Sequence, residues 1–276
     1  MRIITFLLFL IFVNCSSLKY LKSFGELHNK PKKIVEAKTY KINYNKNGIT
    51  EEFAHSSIDY YDAKGRKFKN IRFKSDGTRL DADRLYYYDQ YGNLIREILY
   101  KQDGSIRFEI ENQYNKFGQL IVSDFTSGEN KMTKEYFIDR TKKSSKFVRK
   151  NQDNTLLETV LFKYDNNWRE IEALSLNDKN EQTSRIEFFY DEKGNNIQTK
   201  WYNSENNLNN IYNTTFNIEN DRTKVERFHI TDGKPKFVNA EKFEYQYDDK
   251  GNCVVQKLIS NGKVSWITRY KYTYFR

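Results

Sequence analysis

Apolar and polar residues alternate along most of the chain. Aromatic residues two positions apart show this alternation most clearly: Tyr86 and Tyr88, Phe162 and Tyr164, Phe188 and Tyr190, and Phe243, Tyr245 and Tyr247. A period of two places successive side chains on opposite faces of an extended chain, so the pattern predicts β-strands. The alternating segments are about nine residues long, which is long for strands of a globular protein. The chain is therefore expected to be all-β.

A recurring motif, Tyr-Asp-x-x-Gly, separates these strands. The clearest copies place their Asp or Asn and their Gly as follows: Asp62 and Gly65, Asp89 and Gly92, Asn115 and Gly118, Asp191 and Gly194, and Asp248 and Gly251. A further copy begins at Tyr44, and weaker copies begin at Tyr164 and Phe216. Most copies start about 26 residues apart, and the gap of 50 residues between Tyr114 and Tyr164 is expected to contain a degenerate unit near Phe137.

The motif has the composition of a hairpin turn. Asp or Asn at the first position of a type I turn accepts hydrogen bonds from the backbone that follows, and Gly at the fourth position adopts a left-handed conformation. A second turn signal follows each motif about 15 residues later: Asp76-Gly77, Asp103-Gly104, Ser127-Gly128, Asp232-Gly233 and Asn261-Gly262, with weaker forms at Asp153-Asn154 and Asn206-Asn207. Each 26-residue unit is therefore predicted to be two antiparallel strands.

The repeat also predicts how the strands assemble. The third residue after the motif is apolar in its clearest copies: Phe68, Ile95, Ile121, Ile171, Ile197 and Val254. Both faces of the sheet thus carry apolar rows, so we expect a sheet that is partly buried on both sides. Eight or nine units supply about 16 to 18 strands, and an open sheet rarely exceeds about 10 strands without coiling. The predicted fold is a long antiparallel meander of hairpins, coiled into a spiral or an open half-shell.

The composition favours a folded protein over a disordered one. The chain of 276 residues has 30% charged residues, a net charge of +10 and a mean hydropathy of −0.88. Aromatic residues make up 16% and there are only two prolines, which is the reverse of the composition of disordered segments. The two Cys and three His lie far apart, so we expect neither a disulfide framework nor a metal site, and no cofactor.

The N-terminus has the features of an export signal. Arg2 precedes the apolar run 3–13, which at 11 residues is too short to span a bilayer as a helix. Cys15 follows, and the segment resembles the lipobox of bacterial lipoproteins, although Asn14 departs from the small residue usual before the Cys. A plain secretory signal is the alternative. The expected organisation is a signal peptide at 1–14, a lipidated Cys and basic tether at 15–40, and the repeat domain at 41–276.

The repeated motifs, together with the Asp-Gly turns between them, resemble those of the RHS/YD-repeat family of bacterial surface and secreted proteins. The resemblance covers about residues 41–276 and implies antiparallel strands wound into a spiral sheet, with carbohydrate binding in some members. Larger members have a proline-containing core motif and a C-terminal toxin domain. This chain has only Pro31 and Pro235, so no toxin activity is expected from the resemblance.

The candidate functional residues are aromatic and basic. The chain has no nucleophile elbow, phosphate-binding loop or His-Glu-x-x-His pair, and its acidic residues are mostly explained by turns. Asp81 and Asp83 are interpreted as part of a polar strand face or turn. Two groups are candidates for ligand binding: Trp201, Tyr202 and Trp266, which could stack on a sugar, and the cations Lys142, Lys143, Lys146, Arg149 and Lys150, which could hold an anionic glycan or a lipid headgroup.

These features predict a non-catalytic lipoprotein of the bacterial envelope, whose repeat β-sheet presents an extended surface for binding, with carbohydrate as one candidate ligand, or for scaffolding. It would be anchored through N-terminal acyl chains to the outer membrane, on its periplasmic or its surface side. The expected partners are the membrane and either a carbohydrate or another envelope protein, with nucleic acid set aside because the chain is exported. The alternative is an enzyme that acts on an envelope or host glycan.

Overall fold

A computed structural model describes residues 32–45 and 48–275, and these residues form 18 β-strands. The strands are β1 (Lys32–Asn45), β2 (Gly48–Tyr61), β3 (Lys67–Phe73), β4 (Arg84–Tyr88), β5 (Leu94–Tyr100), β6 (Ile106–Tyr114), β7 (Leu120–Ser127), β8 (Asn130–Asp139), β9 (Ser144–Asn151), β10 (Leu156–Tyr164), β11 (Glu170–Leu176), β12 (Gln182–Tyr190), β13 (Asn196–Tyr202), β14 (Leu208–Phe216), β15 (Arg222–Thr231), β16 (Lys234–Tyr247), β17 (Cys253–Ser260) and β18 (Lys263–Tyr274). In this part of the chain no helix is long and apolar enough to cross a membrane. The prediction of an all-β, antiparallel fold is confirmed.

The strands form a closed barrel. Each strand pairs antiparallel with the next one along the chain, and β1 also pairs with β18 over nine registered residue pairs, from Lys32 opposite Tyr274 to Lys41 opposite Trp266. The hydroxyls of Thr39 and Thr268 lie 3.1 Å apart across this junction, although 229 residues separate them in sequence. The prediction of a spiral or an open half-shell is therefore wrong.

Closure removes the two free edges that an open sheet of this size would have. An open edge presents unpaired backbone N–H and C=O groups, and only a closed barrel abolishes both edges. Here the terminal strands β1 and β18 have 14 and 12 residues, and their backbone N–H and C=O groups pair with each other. Residues 32–40, which the sequence assigns to the tether, lie in β1 and complete the ring.

The motifs form the expected turns. In the first, Asp62 Oδ1 accepts hydrogen bonds from the backbone N–H groups of Lys64 and Arg66, each at 2.9 Å, and the Gly65 N–H donates to the Asp62 carbonyl. The residue at the fourth turn position has a positive φ in every copy from Gly65 onward: Gly65, Gly92, Gly118, Trp168, Gly194, Asn220 and Gly251. The weak copies that contain Trp168 and Asn220 therefore adopt the same turn as the clear ones.

A β-bulge follows each of these turns. Tyr88, for example, is registered opposite Leu94, and the next residue, Ile95, is skipped before pairing resumes between Tyr87 and Arg96. The skipped residue is the apolar one that recurs three positions after the motif. Most of these residues are 37–43% exposed: Phe68, Ile95, Ile121, Ile171 and Ile197. They lie at the bulges rather than in a buried ladder.

The motif tyrosines tie neighbouring hairpins together. The Tyr88 hydroxyl donates a hydrogen bond to the backbone carbonyl of Lys67, two residues beyond the preceding turn, at 2.7 Å. Two other motif tyrosines make the same contact, Tyr114 to Leu94 and Tyr190 to Glu170, at 3.0 and 2.7 Å. Two tyrosines outside the motif position, Tyr245 and Tyr272, donate in a similar way to the carbonyls of Arg222 and Cys253, at 2.7 and 2.5 Å. Burial raises the pKa of Tyr88 to about 12. These hydroxyls are therefore structural groups.

The turns divide between two ends of the barrel. We call the end that carries the motif turns the motif rim, and the other end the far rim. The chain enters the barrel at the motif rim, because Lys32 is registered opposite Tyr274 there. The copy that begins at Tyr44 lies at the far rim instead, where Asn45 is registered opposite Gly48. Its spacing of 17 residues from the next copy reflects this different position.

The degenerate unit near Phe137 is a regular hairpin. Strands β8 and β9 are registered over eight residue pairs without a shift, and Asp139 opposite Ser144 closes the turn. The Lys142 N–H donates to Asp139 Oδ1 at 3.0 Å, and Lys143 has a φ of 47°. Asp139 thus replaces the motif Asp in this unit.

The pairing sorts the alternating residues into two faces. Nine of the twelve buried apolar residues lie on one face: Val35, Leu99, Leu120, Phe147, Val160, Ala173, Ile186, Val225 and Phe243. Side chains converge on the concave side of a curved sheet and diverge on the convex side. We therefore assign this more buried set to the inner face of the barrel, and the alternate set to the outer face.

Gly92→Val is expected to lower the free energy of unfolding by about 1 to 3 kcal/mol, because it forces a β-branched residue into a left-handed conformation. Gly92 has a φ of 91°, and a Cβ atom there would meet no atom within 4 Å, so the loss reports backbone strain alone. Gly92→Asn is the control, since Asn220 holds the corresponding position with a φ of 63°. Urea denaturation that gives equal losses for Val and Asn would contradict this interpretation.

Candidate functional site

The inner face between β8 and β14 carries a continuous aromatic wall. Its buried centre consists of Phe147, Val160, Ala173 and Ile186, and Tyr136, Phe162, Phe188 and Trp201 pack against it. Neighbouring rings are in contact, with centroids 6.0 Å apart for Phe147 and Phe162 and 6.4 Å apart for Trp201 and Tyr212. In a closed ring of strands the inner face surrounds the barrel axis, so this aromatic wall faces the interior of the barrel.

Two cations lie side by side at one edge of the aromatic wall. Lys134 in β8 is registered directly opposite Arg149 in β9, and both belong to the inner face. Like charges in this arrangement destabilise a sheet. Burial, reinforced by the Arg149 charge, lowers the pKa of Lys134. Its ammonium lies 5.1 Å from the centroid of the Phe147 ring.

One carboxylate balances only part of this charge. Glu158 Oε2 lies 3.1 Å from the Arg149 guanidinium, which leaves the group of Lys134, Arg149 and Glu158 with a net charge of +1. Among the described residues Lys134 has no ion pair, and the buried Nε of Arg149 has no hydrogen-bond partner. The arrangement can therefore accept an anionic group from within the barrel.

Among the described inner-face carboxyl groups, Glu170 has the most strongly raised pKa. It is registered opposite Tyr164, and burial raises the pKa of its side chain to about 7. Four other inner-face carboxylates each have a cationic partner: Asp59 with Lys67, Glu97 with Arg84, Glu158 with Arg149 and Glu241 with Arg227. Within the described residues, no group of three or more His, Cys, Asp or Glu is arranged to hold a metal ion.

A second ionic cluster closes the shortest junction of the barrel. Strands β3 and β4 share only two registered residue pairs, and the segment 80–83 completes the sheet through backbone hydrogen bonds to Arg72 and Tyr100. Asp81 in this segment is only 3% exposed and forms ion pairs with both Arg72 and Arg107. Asp81 is therefore a buried structural anchor in the connection between β3 and β4.

The outer face is covered by ion pairs. Across β10, β11 and β12, Glu172 lies 2.7 Å from Lys163 and 3.4 Å from Arg185, and Arg185 lies 2.5 Å from Glu187. Further pairs on this face join Lys150 to Glu135 at 2.7 Å and Arg269 to Glu51 at 2.9 Å. These positions alternate with the inner aromatic wall, so across β10 to β12 the barrel has aromatic side chains inside and ion pairs outside.

The aromatic candidates predicted from the sequence do not form one site. Trp201 lies on the inner aromatic wall, but Tyr202 is the next residue and lies on the outer face, where its hydroxyl donates to Glu187 at 2.6 Å. Trp266 is on the inner face in β18, with its ring centroid 6.5 Å from that of His55. A single stacking platform made of these three residues is therefore excluded.

The basic candidates are also separated. Arg149 belongs to the inner face, whereas Lys146 and Lys150 lie on the outer face beside Phe137 and Glu135. Lys142 and Lys143 are in the turn at the motif rim. The five cations thus occupy three different surfaces. Cys15 lies outside the described residues.

Lys134 and Glu170 are the inner-face residues that the sequence interpretation missed. The signal was present, because Lys134 interrupts an alternating series formed by Met132, Tyr136 and Ile138. A charged residue in the register of an apolar row is placed among buried side chains. This signal identifies Lys134 only, because Glu170 comes opposite Tyr164 through the bulge that follows its turn.

Comparison with known proteins gives no family for the chain. No family model matches it, and no curated protein matches it. Among solved structures it is similar to a porin-like protein from Bacteroides uniformis, with a TM-score of 0.33 and 7% identity over 88% of this chain and 97% of that one. A porin-like protein from Bacteroides vulgatus gives a TM-score of 0.32 and 9% identity over 89% and 100% of the two chains.

A third similar structure is that of TcdB2-TccC3-TEV. Its TM-score is 0.35 and its identity 14%, over 82% of this chain and 16% of that one. All three TM-scores are below 0.5, so none of these likenesses supports an inference about this protein.

The resemblance to the RHS/YD-repeat family is not upheld. That resemblance implies an open, wound sheet, whereas β1 and β18 pair and close the ring. The absence of a matching family model agrees with this correction. The motifs are turns of a closed barrel, and they recur because each pair of strands needs the same turn.

Proposed function

We propose that this protein is a non-catalytic, lipid-anchored envelope protein whose barrel holds an anionic carbohydrate against its inner face. The observation that carries the proposal is the pair Lys134 and Arg149, placed without full neutralisation at the edge of the aromatic wall. Ligand sites are typically concave and aromatic, with a few polar groups that fix orientation. Aromatic rings can stack on sugar rings while the two cations bind a carboxylate, sulfate or phosphate group of the ligand.

The outer face supports a barrel that is surrounded by water rather than by lipid. Barrels that span a membrane present an apolar band about 25 Å tall on the outside, and a charged residue facing the middle of the bilayer costs about 2 to 4 kcal/mol. The outer-face ion pairs extend across several strands, including those of Glu172, Arg185 and Glu187. In our proposal the acyl chains on Cys15, rather than the strands, hold the protein at the membrane.

A binding function is favoured over the enzyme alternative by the carboxylates of the inner face. Hydrolysis of a glycosidic bond needs two carboxyl groups about 5 to 10 Å apart, with one of them able to carry a proton. Glu170 has the raised pKa that such an acid needs. The other inner-face carboxylates described above are held in ion pairs, which favours their ionised, structural form.

Lys134→Met is expected to weaken binding of an anionic oligosaccharide at least tenfold. The substitution removes the charge and keeps the length of the side chain. Lys146→Met is the matched control, because Lys146 lies over Phe137 at 4.9 Å on the outer face just as Lys134 lies over Phe147 at 5.1 Å on the inner face. The barrel closes within residues 32–275, so the chain 16–276 keeps every described strand pairing.

The measurement is a glycan array followed by calorimetric titration of the best ligand with the chain 16–276. Preference for acidic glycans, lost in Lys134→Met and kept in Lys146→Met, is the expected result. Equal binding by the two variants, or no binding to any glycan, would contradict the proposal. Appearance of cleaved ligand during the titration, followed by NMR, would instead favour the enzyme.

A further inference from the structure

The motif rim carries an exposed patch of aromatic and basic side chains. Tyr91 and Phe117 occupy the tips of two successive turns and are 81% and 66% exposed. The turns that hold them are in contact, since a Cβ atom at Gly118 would lie 3.8 Å from Asn93 Oδ1. Large apolar side chains at such exposure are normally shielded by a partner when they cluster.

Two cations lie against the Phe117 ring, and two more follow in the next turn of this rim. Lys116 Nζ lies 5.1 Å and Arg140 Cζ 6.0 Å from the centroid of the Phe117 ring. The next turn adds Lys142, whose side chain is 80% exposed, and Lys143. We call this set the basic rim patch: Tyr91, Lys116, Phe117, Arg140, Lys142 and Lys143.

The two halves of the motif rim carry opposite charge, and the half that contains the basic rim patch is the positive one. The turns 89–93, 115–119 and 139–143 contain the four cations of the patch and two acids, Asp89 and Asp139, for a net charge of +2. The turns 191–195, 217–221 and 248–252 contain two cations and six acids, for a net charge of −4. An anionic surface would therefore attract one half of the rim and repel the other.

The N-terminal segment reaches the barrel at the same rim. β1 begins with Lys32 opposite Tyr274, next to the motif turns. The 17 Cα-to-Cα steps from Cys15 to Lys32 can span at most about 60 Å. The patch lies about five strands, or about 25 Å, around the ring from β1. A membrane that holds Cys15 is therefore within reach of the patch.

We propose that the basic rim patch docks onto the surface of an anionic lipid bilayer. Tyr91 and Phe117 would lie at the level of the headgroups, where aromatic rings are favoured, and the cations would contact lipid phosphates. The barrel would then stand tilted on the membrane, with its far rim directed away and open to ligand. This orientation rests on the proposed membrane anchoring, but the docking does not depend on what the barrel binds.

The test is co-sedimentation of the chain 16–276, which lacks acyl chains, with vesicles. Binding to vesicles of phosphatidylcholine and phosphatidylglycerol is expected, with weaker binding to phosphatidylcholine alone and a loss of affinity as salt is added. The variant Tyr91→Ser with Phe117→Ser, and separately Lys142→Ala with Lys143→Ala, should each lower the affinity about tenfold. These side chains are at exposed turn tips, and circular dichroism should show an unchanged fold.

The control uses exposed apolar residues of the far rim. Ile49 and Phe237 are 68% and 55% exposed, and the variant Ile49→Ser with Phe237→Ser should bind vesicles as the parent chain does. Rim-patch variants that bind as tightly as the parent would overturn the proposal, as would a loss of binding only when Lys30 and the first two lysines of β1, Lys32 and Lys33, are replaced. Carbohydrate binding by the rim-patch variants should be unchanged, so the two proposals fail separately.

Discussion

Removing β18 by ending the chain at residue 262 is expected to abolish the folded barrel. β18 pairs with β17 and with β1, and its inner face carries Trp266, Tyr270 and Tyr272. Without it, β1 and β17 become open edges, and such edges pair with other chains. In an open stack of repeats the same deletion would remove only one terminal strand's contribution. In a closed ring it removes the junction on which every other strand depends.

A circular permutant provides the control for this truncation. Lys32 and Tyr274 are registered neighbours, so a short linker can join residue 275 to residue 32. A new chain end between Asp232 and Gly233, in the exposed two-residue turn of β15 and β16, leaves all strand pairings in place. The permutant should be monomeric in size-exclusion chromatography with the circular dichroism of the parent chain, whereas the truncated chain should aggregate. A monomeric truncated chain with the thermal stability of the parent would contradict ring closure.

The local structure could be predicted from the sequence because the forces that set it act over a few residues. Asp62 accepts its hydrogen bonds from residues two and four positions away, and Gly92 needs only its own φ of 91°. Both features are visible in the sequence of each clear copy, as the Asp or Asn and the Gly of the motif. The number of strands followed from the period, since two strands per unit give about the 18 that are present.

The closure could not be predicted in the same way. It depends on pairs such as Thr39 and Thr268, which no repeat relates to each other. β1 also lacks a motif at the rim where it begins, so nothing in the sequence marks residues 32–40 as part of the ring. A repeat reports the contact of each unit with the next, and it contains no information on whether the first unit meets the last.

The predicted ligand-binding residues lie on different faces of the barrel for another reason. Trp201 and Tyr202 are adjacent in sequence, and adjacent residues of a strand point to opposite faces. The same alternation separates Arg149 on the inner face from Lys150 on the outer face. Two residues that are adjacent in a predicted strand are therefore expected on opposite faces, and they cannot share one binding surface. The pair formed by Lys134 and Arg149 depends on the register of β8 and β9, which the degenerate turn between them does not reveal.

Asp81→Asn is expected to lower the free energy of unfolding by about 3 kcal/mol. Asp81 is 3% exposed, and its carboxylate is shared by Arg72 and Arg107. Removing one partner of a buried ion pair typically costs about 3 to 5 kcal/mol, and the lower end applies because the two arginine side chains are 39% and 54% exposed. The effect should be large also because β3 and β4 share only two registered pairs, so the segment that Asp81 anchors is needed to complete the ring.

Glu51→Gln is the matched control for Asp81→Asn. Glu51 also binds an arginine, accepting two hydrogen bonds from Arg269 at 2.9 Å, but both side chains are more than 40% exposed. Exposed pairs contribute about 0 to 1 kcal/mol, so this variant should unfold in urea almost as the parent chain does. Hydrogen exchange should locate the difference, because Asp81→Asn is expected to speed exchange at Ala82 and Tyr100, whose amides bridge the segment to β5. Equal stability of the two variants, with unchanged exchange at these amides, would mean that the two registered pairs of β3 and β4 hold the ring closed without Asp81.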